Sequence, residues 1–257
     1  MASNSVDVPP KCLSFTISGQ WGHFKDISGN VVRETYRIMP RTTIAGMIAA
    51  MLGLDRNSYY PYFQEETASI AIEPTTTLRT LNVPVNTLST DDSGIQKVKS
   101  GRTLTINVPD STKARQRHVY EFLVDPSYRI DIWMENKEMY SRLKTRLEEG
   151  TSHYTPSLGL SELLATINYH GEFEPSGTDV DEPISVDSAV PNEHVRDIIP
   201  SVETTHRVEK SPSIMETDDG GRITTDFSEY GYNPAGDSLK VATEKQIKVD
   251  GRTVLFN

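Results

Sequence analysis

The stretch ETYRIMPRTTIAGMIAAMLGL, residues 34–54, joins a run of arginine and threonine to a segment rich in small residues. Pro40 lies at a predicted helix start and Gly53 at a predicted stop. Between them, large apolar side chains recur at helical spacing: Ile44, Met47, Ile48, Met51 and Leu52. The small residues of the same segment suit close packing on a sheet. The stretch therefore predicts a helix whose apolar stripe belongs to the core.

Strands are predicted on both sides of this helix. CLSFTIS (12–18) alternates apolar and polar residues, and VVRETYRI (31–38) alternates again, so we expect the two to pair at the start of the fold. The segment 69–86 has the composition of an edge strand or loop. HVYEFLVDPSYRIDIWM (118–134) has the strongest strand pattern, two alternating runs that we expect to fold back at Asp125.

The remaining segments predict a second helix and further strands. Asn136 and Gly150 are suited to cap a helix between them. The segment 154–175 places a small loop before an apolar run that we expect to return to the sheet. From residue 183 onward short strands recur, and the sequence Asp250-Gly251 predicts the turn of a last hairpin.

The order strand, helix, strand, arm, strand, helix, strand is that of a split βαβ, ferredoxin-like domain. The predicted fold class is therefore α+β. A ferredoxin-like (RRM-like) domain over residues 11–172 carries a protruding β-hairpin arm at 86–117, and a mainly antiparallel β region follows over 173–257. Domains of this kind often present a sheet face or loops to single-stranded RNA.

Composition excludes several classes of protein. A chain of 257 residues with 36% hydrophobic content can bury a core. Its one cysteine, Cys12, excludes an intramolecular disulfide and thiolate zinc sites and is interpreted as a core residue. No apolar run approaches the length of a membrane span, and the N-terminus has no signal pattern, so we expect a cytoplasmic location. The histidines lack metal-ligand spacing, and neither a metal nor a cofactor is expected.

Charge is distributed unevenly. The net charge of -10 argues against a nucleic-acid partner. However, cations dominate the segments 11–50 and 94–118, whereas carboxylates dominate 172–203, which we interpret as a solvated face. The two basic segments are therefore candidates for contact with an anionic partner.

The opening basic segment supplies candidate RNA contacts of several kinds. Backbone N–H groups and the dipole at a helix N-terminus favour a phosphate. Lys25 lies in the loop before the helix, and the further candidates are phosphate contacts by Arg33, Arg37 and Arg41, hydroxyl contacts by Thr42 and Thr43, and base stacking by Trp21, His23, Phe24 and Tyr36. The alternative is that Trp21 and Phe24 are core, Thr42 only caps the helix and the arginines form surface pairs. Arginines consumed by carboxylates, or scattered over unrelated faces, would contradict the RNA hypothesis.

Four features together resemble the CRISPR-associated Cas-five family in its type I-B branch. They are a first strand ending in glycine, a Phe-Lys loop, the step TYRIMPRTTIAGMIAAMLG (35–53) and the segment SLGLSELLATI (157–167). The resemblance implies a RAMP-superfamily subunit of the Cascade surveillance complex that holds and caps the 5′ handle of the guide RNA and helps to organise the filament. Its implied partners are the guide RNA, the filament backbone subunit, the large subunit and, through the assembled complex, target DNA.

The same resemblance extends the set of site residues. The arm corresponds to a thumb whose cations contact the RNA backbone: Lys97, Lys99, Arg102, Lys113, Arg115 and Arg117. The step from Pro40 to Gly46 and the loop with Ser157 and Gly159 are implied to line the handle site, and His118 at the base of the arm joins the RNA-binding set.

Two alternatives remain open at this stage. One branch of the family cleaves precursor guide RNA without a metal, and the residues suited to move protons in such a reaction are His23, Lys25, Tyr36, His118 and Tyr120. Because type I-B systems by resemblance use a separate ribonuclease, a role without catalysis is expected. The other alternative is an acidic protein-interaction module that has no nucleic-acid partner.

Overall fold

The computed structural model describes residues 8–26, 32–88, 96–100, 103–107, 115–200, 205–218 and 221–257. Over these residues the α-helices are α1 (Arg41–Leu52) and α2 (Lys137–Glu149). The strands, in chain order, are β1 (Cys12–Ser18), β2 (Trp21–Gly22), β3 (Phe24–Lys25), β4 (Val32–Arg33), β5 (Thr35–Tyr36), β6 (Ala68–Pro74), β7 (Arg79–Leu88), β8 (Gln96–Ser100), β9 (Thr103–Asn107), β10 (Arg115–Val124), β11 (Ser127–Met134), β12 (Thr166–Phe173), β13 (Ser176–Asp179), β14 (Ile184–Val186), β15 (Val190–Pro191), β16 (Val195–Ile198), β17 (Arg207–Asp218), β18 (Gly221–Tyr232), β19 (Leu239–Thr243), β20 (Lys245–Val249) and β21 (Arg252–Val254).

A central antiparallel sheet has the spatial order β12-β1-β11-β6. In the chain, α1 lies between β1 and β6, and α2 lies between β11 and β12. Ile48 of α1 and Leu143 of α2 belong to the same buried cluster as Phe15 of β1 and Ile130 of β11. Both helices therefore bury their apolar stripes on one face of this sheet. The α+β class with antiparallel sheets is confirmed.

The ends of both helices follow the predicted capping residues. Gly53 and Gly150 adopt the left-handed conformation, with φ of 70° and 62°, and each donates its N–H back to the last turn. The side-chain oxygen of Asn136 accepts a hydrogen bond from the backbone N–H of Met139 at 3.0 Å. Both helix predictions are confirmed.

The expected pairing of 12–18 with 31–38 is wrong. Strand β1 pairs on one edge with β11 and on the other with β12, so no edge remains for the second segment. That segment instead gives two short strands: β4 pairs in parallel with β10, and β5 pairs with β3. It places Thr35 and Tyr36 in buried positions.

The expected fold-back of 118–134 is also wrong, although both runs are strands. β10 pairs with β7, whereas β11 pairs with β1 and β6, so the chain crosses from one sheet to another at Asp125, which has a φ of 48°. The crossing is held by hydrogen bonds from the N–H of Gly19 to the carbonyl of Pro126 and from the N–H of Asp125 to the carbonyl of Gln20.

Strands β7 and β10 form a long antiparallel ribbon that leads to the predicted arm. Their pairing extends from Arg79 opposite Val124 to Leu88 opposite Arg115. Beyond it, β8 pairs with β9. The rest of the predicted arm, 89–95, 101–102 and 108–114, lies outside the described residues. Extended structure is therefore confirmed for the described part of the arm.

The C-terminal strands pair antiparallel, as predicted, in the orders β13-β20-β21, β14-β19-β16 and β15-β18-β17. The hairpin of β20 and β21 turns at Asp250 and Gly251, with φ of 49° and 76°. Tyr230 and Tyr232 of β18 belong to the main core cluster. Strand β18 is thus packed into the same core as the central sheet, whereas β14, β19, β20 and β21 contribute to two separate apolar clusters.

On the second face of the central sheet, the C-terminal hairpin of β20 and β21 covers β1, β11 and β6. Arg252 of β21 donates to Glu73 at 2.6 Å and to both carboxylate oxygens of Asp131 at 2.8 and 2.9 Å. Beside this network, Cys12 packs against Val249 in a second apolar cluster. Cys12 is fully buried, as predicted, and burial raises the pKa of its thiol to about 12. Because this part of the sheet is covered, a ligand cannot bind to it. A binding site is therefore expected on the loops and on the ribbon of β7 and β10.

Among the helices of the described residues, none combines the length and the apolar character needed to span a bilayer.

A pair of lysines ties α2 and the N-terminal segment to β12. The carboxylate of Glu172 is 2.8 Å from Lys144 Nζ and 3.0 Å from Lys11 Nζ. Hydrogen bonds from these two ammonium groups lower the pKa of Glu172 from 4.5 to about 2. Since its pKa is depressed in the folded state, the pairs stabilise the protein above pH 4.5, and their contribution is lost as the pH falls towards 2.

We therefore expect the substitution Glu172→Gln to lower the free energy of unfolding by about 1 kcal/mol at neutral pH, a small value because the pairs are partly exposed to screening solvent. Urea titrations of both proteins across the acidic range measure the effect. The difference should shrink as the pH falls from 4.5 to 2. A difference that stays constant over this range would contradict the assignment of the pKa shift to the two lysines.

Candidate nucleic-acid interface

Three segments that are distant in the sequence line one groove of about 400 Å³. One wall is the loop from His23 to Lys25, the second is one side of α1 from Thr42 to Ala50, and the third is the segment 155–160. Tyr59 and two residues of the β17–β18 hairpin, Met215 and Arg222, complete the lining. The sequence-predicted residues that the groove brings together are His23, Phe24, Lys25, Thr42, Thr43, Ser157 and Gly159.

Two of the walls are in direct contact. The backbone N–H of His23 donates to the carbonyl of Leu158 at 2.9 Å. Next to it, Gly159 has a φ of +97°, and a Cβ at this position would lie 1.9 Å from the carbonyl oxygen of His23. Only glycine fits both the backbone conformation and the spacing, so Gly159 fixes how closely the two loops approach.

The substitution Gly159→Ala is therefore expected to lower the free energy of unfolding by roughly 2 kcal/mol or more, because it adds a backbone clash to the cost of the left-handed conformation. Thermal or urea unfolding measures the change. The matched control is Gly150→Ala, where φ is +62° and a Cβ meets nothing within 4 Å, so only the conformational cost of roughly 1 kcal/mol applies. Equal losses for the two variants would show that the contact between the loops is unimportant.

The groove is suited to an anion. Lys25 and Arg222 are the cationic side chains in its lining, and no carboxylate lines it. Over the part of the chain that the structure describes, neither side chain makes a hydrogen bond or an ion pair. The first turn of α1 has no acidic residue, and Thr42 and Thr43 bring the positive end of the helix dipole to the groove.

The predicted phosphate contact by Arg41 is wrong. Arg41 is only 1% exposed, and its guanidinium donates to the backbone carbonyls of four residues. These are Phe63, Gln64, Ala68 and Asn257. The side chain therefore joins α1, β6 and the C-terminal segment inside the protein, and it does not reach a ligand in the groove.

Arg37 is also engaged within the protein. Its guanidinium forms an ion pair of 2.6 Å with Glu121, and its backbone N–H, like that of Ile38, donates to the carboxylate of Glu209 at 2.9 to 3.0 Å. Burial raises the pKa of Glu209. The junction between basic strand and helix thus binds an anion, but the anion is a carboxylate of β17. The structure therefore lacks the predicted cradle of Arg33, Arg37 and Arg41, and this finding contradicts the RNA hypothesis as placed at the junction.

The aromatic candidates divide into buried and accessible rings. Phe24 and Tyr36 are 2% and 4% exposed and belong to the core, so base stacking on them is excluded in this conformation. His23 is also buried, and its Nδ1–H donates to the carbonyl of Glu121 at 2.9 Å. Burial lowers the pKa of His23, which favours the neutral ring. Trp21 is 36% exposed.

The accessible rings lie along one face of β10 and β2. Tyr120 and Phe122 are stacked with centroids 5.8 Å apart, Trp21 lies edge-on to Phe122 at 6.0 Å, and His118 lies edge-on to Tyr120 at 6.5 Å. We call these four residues the aromatic row. Arg33 places its guanidinium 5.6 Å from the centre of the Tyr120 ring.

The remaining predicted contacts belong to the arm. Lys97 and Lys99 lie on β8, and Arg115 lies at the start of β10. Arg117 is exposed and alternates with His118, so it points to the opposite face of the ribbon from the aromatic row. Arg102 and Lys113 lie outside the described residues. The arm cations stay a prediction.

Sequence reasoning missed Arg222, Tyr59 and Phe122. Arg222 reaches the groove only because the β17–β18 hairpin lies against α1 and the turn that follows it, and no local pattern signals this. Phe122 had a visible signal, because Tyr120 and Phe122 alternate with His118 along the strand. That alternation was interpreted only as a half-buried strand.

The antiparallel sheets, the two helices and the carboxylate-free groove together define an α+β protein whose loops are suited to an anionic ligand. The model of the family described as "CRISPR-associated protein (Cas_Cas5)" matches residues 12–227. The chain therefore belongs to this CRISPR-associated Cas-five family, as its opening stretch predicted.

Two solved structures show the same fold. A chain of a "CRISPR RNA-guided surveillance complex" is 12% identical, with a TM-score of 0.52 over 89% of this chain and 91% of that one. A CRISPR protein from Archaeoglobus fulgidus is 14% identical, with a TM-score of 0.55 over 95% of this chain and 98% of that one. No curated protein matches the sequence.

Proposed function

We propose that the protein is a non-catalytic subunit of a type I CRISPR Cascade effector complex, in which it binds and caps the 5′ handle of the guide RNA. The observation that carries the proposal is the groove, where three segments predicted from sequence meet without a carboxylate. Family membership and a structural relative in an RNA-guided surveillance complex support the same role.

The groove offers a set of contacts that suits the end of a single RNA strand. Lys25 and Arg222 supply charge for phosphates, and the hydroxyl groups of Thr42, Thr43 and Ser157 supply hydrogen bonds. Its volume of about 400 Å³ is large enough to admit single nucleotides. Among the described residues of the acidic segment 172–203, none lines the groove, so these carboxylates lie outside the proposed handle site.

The strand order β12-β1-β11-β6, with α1 and α2 as connections, supports a ferredoxin-like unit over residues 11–172. In the proposed complex, the filament backbone subunit and the large subunit are neighbours, and the arm at 86–117 reaches the guide. Target DNA is met through the assembled complex.

Co-purification tests this proposal. A tagged copy expressed with its CRISPR array and partner genes is expected to retain a uniform set of short RNAs with a common 5′ end, which sequencing would identify. Filament subunits should accompany them. Recovery of the partners without any RNA would contradict handle binding, and recovery of neither would favour an acidic protein-interaction module.

Incubation of the purified protein with labelled repeat RNA and EDTA tests the absence of catalysis. No discrete products are expected, because His23 and Tyr36, two of the candidates for proton transfer, are buried. Discrete products that disappear in the variant His118→Ala would contradict the proposal and establish a metal-independent endoribonuclease, since His118 lies on the accessible face of β10.

A further inference from the structure

We propose that the aromatic row is a stacking platform for unpaired bases of the RNA whose 5′ end occupies the groove. This inference rests on the proposed function, and it adds a second, chemically different surface for the same ligand. The ligand class is single-stranded RNA, recognised by the faces of its bases.

The row is continuous, with Trp21 exposed and His118, Tyr120 and Phe122 half-buried. Tyr120 and Phe122 are nearly parallel, with an interplanar angle of 15°, and Trp21 and His118 extend the row at its two ends. The pairing of β7 with β10 places Leu81 opposite Phe122 and Val83 opposite Tyr120, on the same face. Leu81 is 51% exposed. Trp21 and Leu81 thus place exposed apolar side chains on this face at either side of β10, as is typical of interaction sites.

The charges around the row favour nucleic acid over an apolar protein segment. Arg33 lies over the Tyr120 ring, and Arg79, opposite Val124, lies on the same face as Trp21. Asp125, 3.8 Å from Arg79, is the carboxylate paired at this end. Glu121 points to the other face of β10, where it pairs with Arg37. Stacked rings flanked by guanidinium groups are the combination that binds single strands.

The row is joined to the groove by His23. His23 belongs to the lining of the groove, where its backbone contacts Leu158, and the centre of its ring lies 5.2 Å from that of Tyr120 and 5.6 Å from that of Phe122. His23 is buried between the two surfaces, and its lowered pKa favours the neutral ring. It therefore adds no charge next to the path of the RNA. An RNA strand that leaves the groove past this residue meets Tyr120 and Phe122 next.

Tryptophan fluorescence tests the platform directly. Trp21 and Trp133 are the tryptophans of the sequence, so the variant Trp133→Phe leaves Trp21 as the single reporter. Titration with a short single-stranded RNA of the handle and first guide nucleotides is expected to quench the Trp21 emission, whereas a duplex of the same sequence should not. Anisotropy of the labelled RNA measures binding independently of stacking.

The substitution Phe122→Leu keeps an apolar side chain and removes the ring, and we expect it to weaken RNA binding about fivefold or more. The control is Phe173→Leu, the same change at a half-buried ring that packs against the second apolar cluster, which contains no residue of the row. Its affinity should stay within about twofold, as for a surface change without a ligand contact.

The outcomes separate the two proposals. Normal binding by anisotropy with unchanged Trp21 emission, or equal affinities for the two leucine variants, would overturn the platform and leave the groove intact as the handle site. Failure to bind the RNA in any assay would overturn the proposed function together with the platform. Quenching with a selective loss in Phe122→Leu supports both.

Discussion

Replacing Lys25 and Arg222 together by glutamate is expected to lower the affinity for the guide RNA handle by on the order of 100-fold. Each side chain is placed to make a charge-assisted hydrogen bond to phosphate, which contributes about 1.5–3 kcal/mol, and about 1.4 kcal/mol corresponds to a factor of ten. Both cations line the groove and have no partner within the described residues, so they are available to a ligand. Anisotropy with labelled handle RNA measures the loss.

The salt dependence of binding gives a second measure of the same contacts. With two phosphate contacts removed, the slope of log affinity against log salt concentration should decrease by about 1.4 for a single strand. The matched control replaces Lys240 and Lys248 by glutamate, which changes the net charge equally on exposed C-terminal strands. A control that loses as much affinity as the groove variant would mean that net charge, and not the groove, determines binding.

The second large effect concerns stability. The substitution Arg41→Ala is expected to lower the free energy of unfolding by about 4 kcal/mol, because it leaves buried carbonyls without their donor, each at a cost of about 1–3 kcal/mol. The carbonyls belong to the turn after α1, the start of β6 and the C-terminal segment, so the loss affects the connection of all three. Urea unfolding followed by circular dichroism measures the change.

Arg56→Ala is the matched control for Arg41→Ala, since Arg56 is exposed and lies beyond the end of the same helix. It should change the free energy of unfolding by no more than about 0.5 kcal/mol. A stable Arg41→Ala protein that retains its fold but loses guide RNA would falsify the structural role and restore the phosphate contact that the sequence predicted.

Local signals in the sequence were sufficient for the elements that depend on local physics. Both helices end at the expected capping residues, and the Asp250-Gly251 turn closes the last hairpin, because the conformations of capping and turn residues are set by neighbours a few positions away. The loop at 23–25 was identified by its composition and the loop with Ser157 and Gly159 by resemblance, and the structure places the two loops in contact.

The errors concern interactions between distant parts of the chain. The junction at Arg37 and Ile38 has the composition of a phosphate site, yet its N–H groups are taken by Glu209, 172 residues away from Arg37 in the sequence. The same holds for Arg41, whose partner Asn257 lies at the other end of the described chain. Alternation also predicted that β10 and β11 are strands but not that they belong to different sheets, because alternation specifies faces and not partners.

The hydrogen bonds that Glu209 accepts from the backbone of Arg37 and Ile38 have a consequence for folding during biosynthesis. Glu209 and Arg222 both belong to the β17–β18 hairpin, whereas Arg37, Ile38 and two of the three walls of the groove lie within the first 60 residues. During translation, the early segments must therefore wait for the hairpin before the loop in front of α1 is held and the groove has its second cation. A nascent chain that has not yet reached the hairpin lacks both the Glu209 contact and Arg222 in the groove, so this region is completed only when the C-terminal strands can fold.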